Sequence, residues 1–376
     1  MGEKMISDLS DSERRMKLPE STNLDISAFE QMLNLKNLTN SYKLYWFAAV
    51  FDEIRKGSVE VSFKKIVLTM ITKCWYSTVA YRLNLGPMDK LNELVSYISN
   101  RYQLKMDIPR HELFSFLENR KDSELEERIA YFFRYVPFRL ISPFYVDLKG
   151  LSDHLKNKKI EELSRTSDRA IYQIQSQGKK IIVNRNWFDY IYKNQVIVSG
   201  WYNYKLIFFL QQRNPSIPAI PFKLEAPQKR SLSNAKSFWS EIIKLKPISD
   251  IYTNRLITLD DLSIDHFIPW SFVLHDRLWN LVPTSKAVNS SKNDRLPQLE
   301  LYLDKFCGLQ YFALRIALGH NLSRKLLDDY TDISRDNALS RNIKKDTFIR
   351  NLKESLIPLY QLAQNQGYLV WSIQVE

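Results

Sequence analysis

The residues best suited to chemistry lie close together in one stretch of the sequence, residues 262–297. Asp265 and His266 are adjacent, and Asn280, Asn289 and Lys292 follow them. An imidazole titrates near neutral pH and is the commonest general base in enzymes. The side-chain oxygens of aspartate and asparagine are hard ligands, which suit Mg²⁺ better than Zn²⁺. These five residues could form one site, with a histidine base and a magnesium ion, if the fold brings them together.

The first two of these residues are expected at the end of a strand. A short β-like segment reaches Asp265 and His266, and Pro269 stops it. Successive side chains of a regular strand point to opposite faces. We therefore expect both residues to serve one site only if the strand ends or twists at this point.

The other three residues are expected on a loop and a helix. The loop leads to Asn280, and a helix is predicted to start near Pro283–Thr284, because proline is tolerated in a first helical turn. Asn289 and Lys292 are three residues apart, so they should share one face of that helix.

This segment, about residues 250–300, resembles the HNH (ββα-metal) nuclease family. It has the order Asp-His…Asn…Asn, with 14 residues from His266 to Asn280 and 9 from Asn280 to Asn289. Pro269 follows the histidine, and the segment ends in Asn289-x-x-Lys292. In these features it is similar to the HNH domains of RNA-guided CRISPR effector nucleases and of stand-alone bacterial nucleases.

The resemblance implies a metal-dependent endonuclease that hydrolyses phosphodiester bonds and leaves 5′-phosphate and 3′-hydroxyl ends. His266 is expected to be the general base, and Asp265 and Asn289 to hold Mg²⁺, with Mn²⁺ as a possible substitute. Asn280 is expected to hold the loop through backbone hydrogen bonds and thereby orient His266. Lys292 would contact the phosphate or support the site.

The sequence departs from many HNH proteins, which carry two Cys-x-x-Cys pairs that bind a structural zinc. Its two cysteines, Cys74 and Cys307, cannot form such a site or a disulfide framework. We expect no structural zinc and a reducing, cytoplasmic location. Apolar packing must then hold the ββα unit, and the candidates are Phe267, Trp270, Phe272, Trp279 and Leu281.

Composition limits the classes of partner. The 376 residues are 44% hydrophobic and 13% aromatic, which excludes a wholly disordered chain, and their net charge is +12. That surplus suggests a polyanion such as DNA, although a solvated basic surface is an alternative. The most apolar run, residues 206–210, is far shorter than the roughly 20 residues that span a bilayer, so no membrane partner is expected.

The predicted fold class is mainly α with a small ββα-metal module. A large helical region, residues 1–228, precedes a nuclease region, residues 229–376, which closes with C-terminal helices. A hairpin is predicted within residues 170–183, and the proline-rich residues 214–228 are the best linker candidate. Apolar spacing predicts helices at about 44–57, 62–86, 89–102, 109–120, 123–135, 187–210, 229–245, 298–320 and 343–365.

The sequence is compatible with several functional interpretations. DNA is the expected substrate, with a role in restriction or phage defence, but an RNA-cleaving enzyme or a subunit active only within a larger complex fits as well. The N-terminal region could select DNA, bind a protein partner or activator, or restrain the nuclease. His275 is expected to be structural, and the basic residues between Arg324 and Lys353 could form a DNA-binding face or a solvated surface. The oligomeric state is open.

Overall fold

The structure, a computed structural model, describes residues 17–146, 148–228, 231–322, 327–334 and 344–373. The chain divides into two compact units, one of Met1–Pro215 and Lys223–Ala226 and the other of Ser216–Phe222 and Pro227–Glu376. The assignment of separate roles to residues 1–228 and 229–376 stays a prediction. No helix within the described ranges is long and apolar enough to cross a membrane.

The first unit is largely helical, as the apolar spacing predicts. The 3₁₀ helices are short, and Tyr76–Ala80 is a single π-helical turn that follows α3. The α-helices are α1 (Ile26–Gln31), α2 (Tyr42–Arg55), α3 (Phe63–Trp75), α4 (Lys90–Tyr102), α5 (Arg110–Glu118), α6 (Ser123–Ala130), α7 (Val136–Ile141), α8 (Asp153–Thr166), α9 (Arg185–Lys193) and α10 (Gln195–Arg213).

Local sequence accounts for where these helices begin. The Ser62 hydroxyl accepts a hydrogen bond from the backbone N–H of Lys65 at 3.2 Å, which caps α3. The Asp89 carboxylate accepts from the N–H of Leu91 at 2.9 Å and so caps α4. Trp46 and Trp75 are fully buried in this unit, so they belong to its core.

The predicted hairpin is present as strands β2 (Tyr172–Gln175) and β3 (Lys180–Val183), with Tyr172 opposite Val183. β1 (Glu60–Ser62) pairs antiparallel with the other edge of β3, which gives a three-stranded sheet in the order β1-β3-β2.

The second unit surrounds a short antiparallel pair of strands with helices. Its strands are β4 (Leu262–His266), β5 (Leu281–Ser285), β6 (Leu296–Pro297) and β7 (Val370–Trp371). Its α-helices are α11 (Ser233–Leu245), α12 (Trp270–Val273), α13 (Lys286–Lys292), α14 (Leu299–Gly319), α15 (Thr331–Ser334) and α16 (Lys345–Asn365).

The core of the second unit contains most of the apolar residues that were expected to hold the ββα unit together in place of a structural zinc. Phe267, Phe272 and Leu281 are fully buried, and the ring centroids of Phe267 and Phe306 lie 4.2 Å apart. Trp270 is only partly buried, so it contributes less than predicted. Packing of β4 and β5 against α11, and of Phe267 against Phe306 of α14, therefore holds the strand pair in place.

The prediction of a helix that starts near Pro283–Thr284 is wrong. Pro283 lies within β5, opposite Ile264 of β4, and the helix begins three residues later at Lys286. Proline is tolerated in a strand where its missing N–H faces away from the partner strand, and both strands of this two-stranded sheet are edges. The true helix cap is the Ser285 hydroxyl, which accepts from the N–H of Val288 at 3.2 Å.

Candidate active site

β4 places Asp265 and His266 at its carboxyl end. Asp265 lies opposite Val282 and His266 opposite Leu281, so the pairing with β5 continues through both residues. The two side chains have different partners. β4 ends at His266, as the sequence predicts, so the strand geometry does not continue beyond this pair of residues.

The Asp265 carboxylate is buried and contacts a cation and a hydroxyl. Lys292 Nζ lies 3.1 Å from both carboxylate oxygens, and the Tyr252 hydroxyl donates to Oδ2 at 2.7 Å. The Lys292 side chain has no exposed surface, and Asp265 is 3% exposed. A buried carboxylate requires such partners, because removing a charge from water is costly.

Lys292 also joins Asp265 to its neighbour. Its ammonium donates to the backbone carbonyl of His266 at 2.7 Å, in addition to the carboxylate. One side chain of α13 thus fixes both residues at the end of β4. Of the two roles expected for Lys292, this position favours support of the site over contact with a phosphate.

His266 is paired with a carboxylate that sequence reasoning did not single out. Its Nε2 lies 2.8 Å from Asp276 Oδ1, and the histidine side chain is 7% exposed while that of Asp276 is 33% exposed. An ionised carboxylate can only accept a hydrogen bond, so Nε2 carries the proton in this pair. In the neutral form of the ring, the lone pair then lies on Nδ1.

A second carboxylate holds the segment that carries Asp276. Asp329, in the 3₁₀ helix Asp328–Tyr330, accepts from the N–H of Leu278 at 2.9 Å and from Arg277 Nη1 at 2.6 Å. Arg277 also pairs with Asp332, with 3.4 Å between Nε and Oδ2. The loop between β4 and β5 is therefore anchored immediately after Asp276.

Asn280 closes the base of the same loop. Its buried amide accepts from the N–H of Ile268 at 2.8 Å and donates to the carbonyl of Ile268 at 2.9 Å. The backbone N–H of Phe267 donates to the carbonyl of Asn280 at 2.9 Å. These bonds fix the chain directly after His266, which is the geometry that the proposed loop-holding role requires.

Asn289 lies against the same face of β4 as Asp265. Its Nδ2 donates to the Ser263 hydroxyl at 2.8 Å, and Ser263 and Asp265 are two residues apart on one strand. Its amide oxygen has no hydrogen-bond partner within the described part of the chain. The Asn289 side chain of α13 therefore keeps one oxygen that no described residue uses.

The donor set is chemically suited to magnesium. Asp265 and Asn289 supply hard oxygens, and Mg²⁺ takes one or two protein ligands while keeping most of its waters. Among the described residues, no three His, Cys, Asp or Glu side chains are grouped closely enough to hold a metal on their own. A site built from one carboxylate and one amide would depend on water and substrate oxygens for its remaining ligands.

The neighbouring candidates have structural surroundings. Burial, followed by the nearby His266 and Arg277, lowers the pKa of His275 from 6.5 to about 4, so its imidazole is neutral near pH 7. Asp261 Oδ1 accepts from the N–H of Lys286, and the Asp260 carbonyl accepts from Lys286 Nζ. Both aspartates thus contact the start of α13. Part of the basic segment Arg324–Lys353, namely residues 324–326 and 335–343, lies outside the described residues.

Comparison with known proteins identifies this region. Residues 250–298 match the sequence profile of a family described as HNH endonuclease. These residues form an HNH endonuclease domain. The match contains the strand pair, the loop between the strands and helix α13, so the HNH domain includes all five residues singled out in the sequence.

A curated relative matches a larger part of the chain. The CRISPR-associated endonuclease Cas9 of Listeria innocua serovar 6a is 30% identical over 131 residues, which cover 29% of this chain and 10% of the relative. The chain thus spans about a tenth of the length of that relative. No solved structure matches the chain at a significant level.

Three hydrogen-bond partners of the site residues and their loop were missed from the sequence: Tyr252, Asp276 and Asp329. Each comes from a separate segment, 13, 10 and 51 residues from the group that it bonds. No regular spacing connects them to Asp265, His266 or Leu278. The one available signal is that Asp276 follows His275 within the loop that the motif already delimits.

Proposed function

We propose that this chain is a metal-dependent endonuclease that hydrolyses phosphodiester bonds of DNA. The observation that carries the proposal is the placement of His266 in an HNH domain, with its ring held by Asp276 and its following backbone held by Asn280. A histidine fixed on both sides has the preorganisation that a general base needs.

His266 acts on the attacking water. Nδ1 of the neutral ring accepts a proton from the water, which makes the water a better nucleophile toward phosphorus. The Asp276 carboxylate keeps the proton on Nε2 and stabilises the imidazolium that forms. Asp276 is therefore a positioning residue, since it acts through His266.

Asp265 and Asn289 would hold the magnesium ion. When bound, Mg²⁺ neutralises charge on the phosphate and on the departing 3′ oxygen. Lys292 and Tyr252 keep the Asp265 carboxylate at a fixed position beside β4. Asn280 orients His266 through the backbone and does not touch the substrate.

Matched digests test the substrate and the metal. The full chain should cleave double-stranded DNA with Mg²⁺ or Mn²⁺, should cleave RNA of the same sequence more slowly, and should lose activity with EDTA. Asn289→Ala should lower cleavage and raise the Mg²⁺ concentration needed, while Asn100→Ala, at an exposed asparagine of helix α4, should not. Faster cleavage of RNA than of DNA would mean that RNA is the substrate. Equal cleavage rates with Mg²⁺ and with EDTA would mean that the enzyme does not need a metal.

The biological role that we infer is defence against invading DNA in the cytoplasm. The matched relative is described as CRISPR-associated, which supports this role, and a free nuclease would harm its host unless it is restrained. Residues 1–228 are long enough to select DNA, to bind a protein partner or activator, or to restrain the nuclease. Cleavage of every DNA at the same rate, with no partner or signal, would count against restraint.

A further inference from the structure

A cavity beside the start of α2, in the helical unit, is lined by cations and by no carboxylate. Its volume is about 130 Å³, and its walls come from the segment before α2, the first turn of α2, and α7. Lys43 and Arg139 supply the charges, and Asn37, Asn40 and Tyr135 supply polar groups.

Other cavities on this unit balance their charges. In one, Lys64 Nζ pairs with Glu126 at 2.6 Å, and in another Arg128 pairs with Glu124 at 2.7 Å. The cavity beside α2 therefore differs in chemistry from its neighbours, since nothing in its walls neutralises Lys43.

The Lys43 ammonium has no ion pair or hydrogen bond with any other residue that the structure describes. Partial burial and the nearby Arg139 charge both lower its pKa. It also lies in the first turn of a 14-residue helix, where the backbone dipole disfavours a cation. Partial burial, the Arg139 charge and the helix dipole thus all disfavour the charged form of Lys43. None of the described neighbours supplies a negative charge that offsets them.

Arg139 retains donors that can face the cavity. One of its nitrogens bonds Asp153 Oδ1 at 2.6 Å, but Asp153 is 66% exposed and does not line the cavity. A guanidinium has five N–H donors in a planar fork that suits phosphate oxygens. The amides of Asn37 and Asn40 have no hydrogen-bond partner among the described residues, and they add neutral donors.

We propose that this cavity binds a phosphate group, held between Lys43 and Arg139. A bound anion would remove the unfavourable proximity of the two cations. The volume is well below the roughly 300 Å³ of small-molecule pockets, so the cavity takes the phosphate while the rest of the ligand stays outside. The phosphate belongs either to a free nucleotide or to the backbone of a nucleic acid. This site is separate from the HNH domain and does not depend on the proposed nuclease activity.

Thermal unfolding of the full chain with defined probes tests the site. The probes are inorganic phosphate, dAMP and a single-stranded DNA 12-mer without terminal phosphates, each compared with chloride at equal ionic strength and with EDTA present. Phosphate at 10 mM should raise the Tm of the wild type by about 3 °C. Lys43→Met should abolish this rise and should raise the Tm in phosphate-free buffer, because a like-charge repulsion is removed.

Two further variants separate binding from a folding defect. Lys43→Arg keeps the charge and should retain most of the rise. Lys158→Met, at an exposed lysine of α8 that has no ion pair with the described residues, should retain all of it. If dAMP raises the Tm in a Lys43-dependent way and the 12-mer does not, the ligand of the cavity is a free nucleotide. The reverse result means that the ligand is a nucleic-acid backbone. No rise in the wild type with any probe, or an equal rise in Lys43→Met, would overturn the proposal.

Discussion

At the scale of single residues, the arrangement of the HNH domain depends on the buried pair of Lys292 and Asp265. The ammonium contacts both carboxylate oxygens and the carbonyl of His266, and neither charged group reaches solvent. A buried pair of this kind adds little net stability over an apolar pair, but a single remaining charge is strongly unfavourable. The pair therefore fixes geometry more than it stabilises the fold.

Lys292→Met should accordingly lower the free energy of unfolding by about 3–5 kcal/mol, because it leaves the Asp265 carboxylate buried without its cation. The double variant Lys292→Met/Asp265→Asn should recover more than half of that loss. Urea unfolding of the four members of this cycle measures both effects. A loss below about 1 kcal/mol in the single variant would show that Asp265 does not need Lys292.

His275 should make the stability of the fold dependent on pH. Its folded-state pKa of about 4 lies below its ordinary value of 6.5, so the folded state favours the neutral ring. The resulting stability is complete above about pH 6.5 and is lost as the pH falls toward 4. Between pH 7 and pH 4.5 we expect a loss of roughly 2–3 kcal/mol from this group.

Replacement of His275 by Gln should remove that part of the acid dependence, as measured by urea unfolding at the two pH values. His111→Gln, at a histidine whose side chain is 84% exposed, is the matched control and should leave the dependence unchanged. An unchanged pH dependence in His275→Gln would contradict the assigned environment of the ring.

At the scale of elements, the loop between β4 and β5 is held from three directions. Asn280 bonds the chain after β4, and Asp329 bonds Leu278 and Arg277. Gln310 of α14 donates to the carbonyl of Leu281 at 2.6 Å and accepts from the Tyr330 hydroxyl. Elements distant in sequence thus set the position of Asp276 and, through it, of His266.

Asp329→Ala should therefore lower the cleavage rate by about 10- to 100-fold although Asp329 does not contact His266. Hydrogen exchange should show faster opening of residues 276–280. Asp332→Ala removes only the longer contact with Arg277 and should have a much smaller effect. Equal rates in wild type and Asp329→Ala would mean that the loop is positioned by its other contacts alone.

Sequence patterns predicted the elements better than they predicted the partners. Apolar spacing was sufficient to predict the helices that begin near residues 44 and 62, and the HNH motif contained Asp265, Asn289 and Lys292, which lie at one interface. Pro283 misled the helix boundary because proline is compatible both with a first helical turn and with an edge strand. Asp276 and Asp329 were missed because contacts between distant segments depend on tertiary packing and leave no periodic signal.

At the scale of the whole molecule, the HNH domain lies in a unit with its own core. Phe306, Leu314, Leu352 and Leu356 are fully buried, and they belong to one cluster of apolar side chains drawn from this unit. The cation-lined cavity belongs to the helical unit.

A chain that starts at Ser216 should therefore fold by itself and unfold cooperatively. If residues 1–228 restrain the nuclease, this truncated chain should cleave plasmid DNA faster than the full chain does. Far-UV circular dichroism and plasmid digestion at equal concentration measure both properties. A truncated chain that is folded but no faster than the full chain would exclude restraint, and would leave DNA selection or partner binding as the role of the helical region.

The central claim is that His266 is the base of a metal-dependent nuclease. The most direct measurement is digestion of supercoiled plasmid by the full chain, with and without Mg²⁺, for the wild type, His266→Ala and the control His111→Ala. We predict nicking or linearisation that needs the metal, persists in His111→Ala and falls by at least about 100-fold in His266→Ala. Cleavage at the wild-type rate by His266→Ala would contradict the claim.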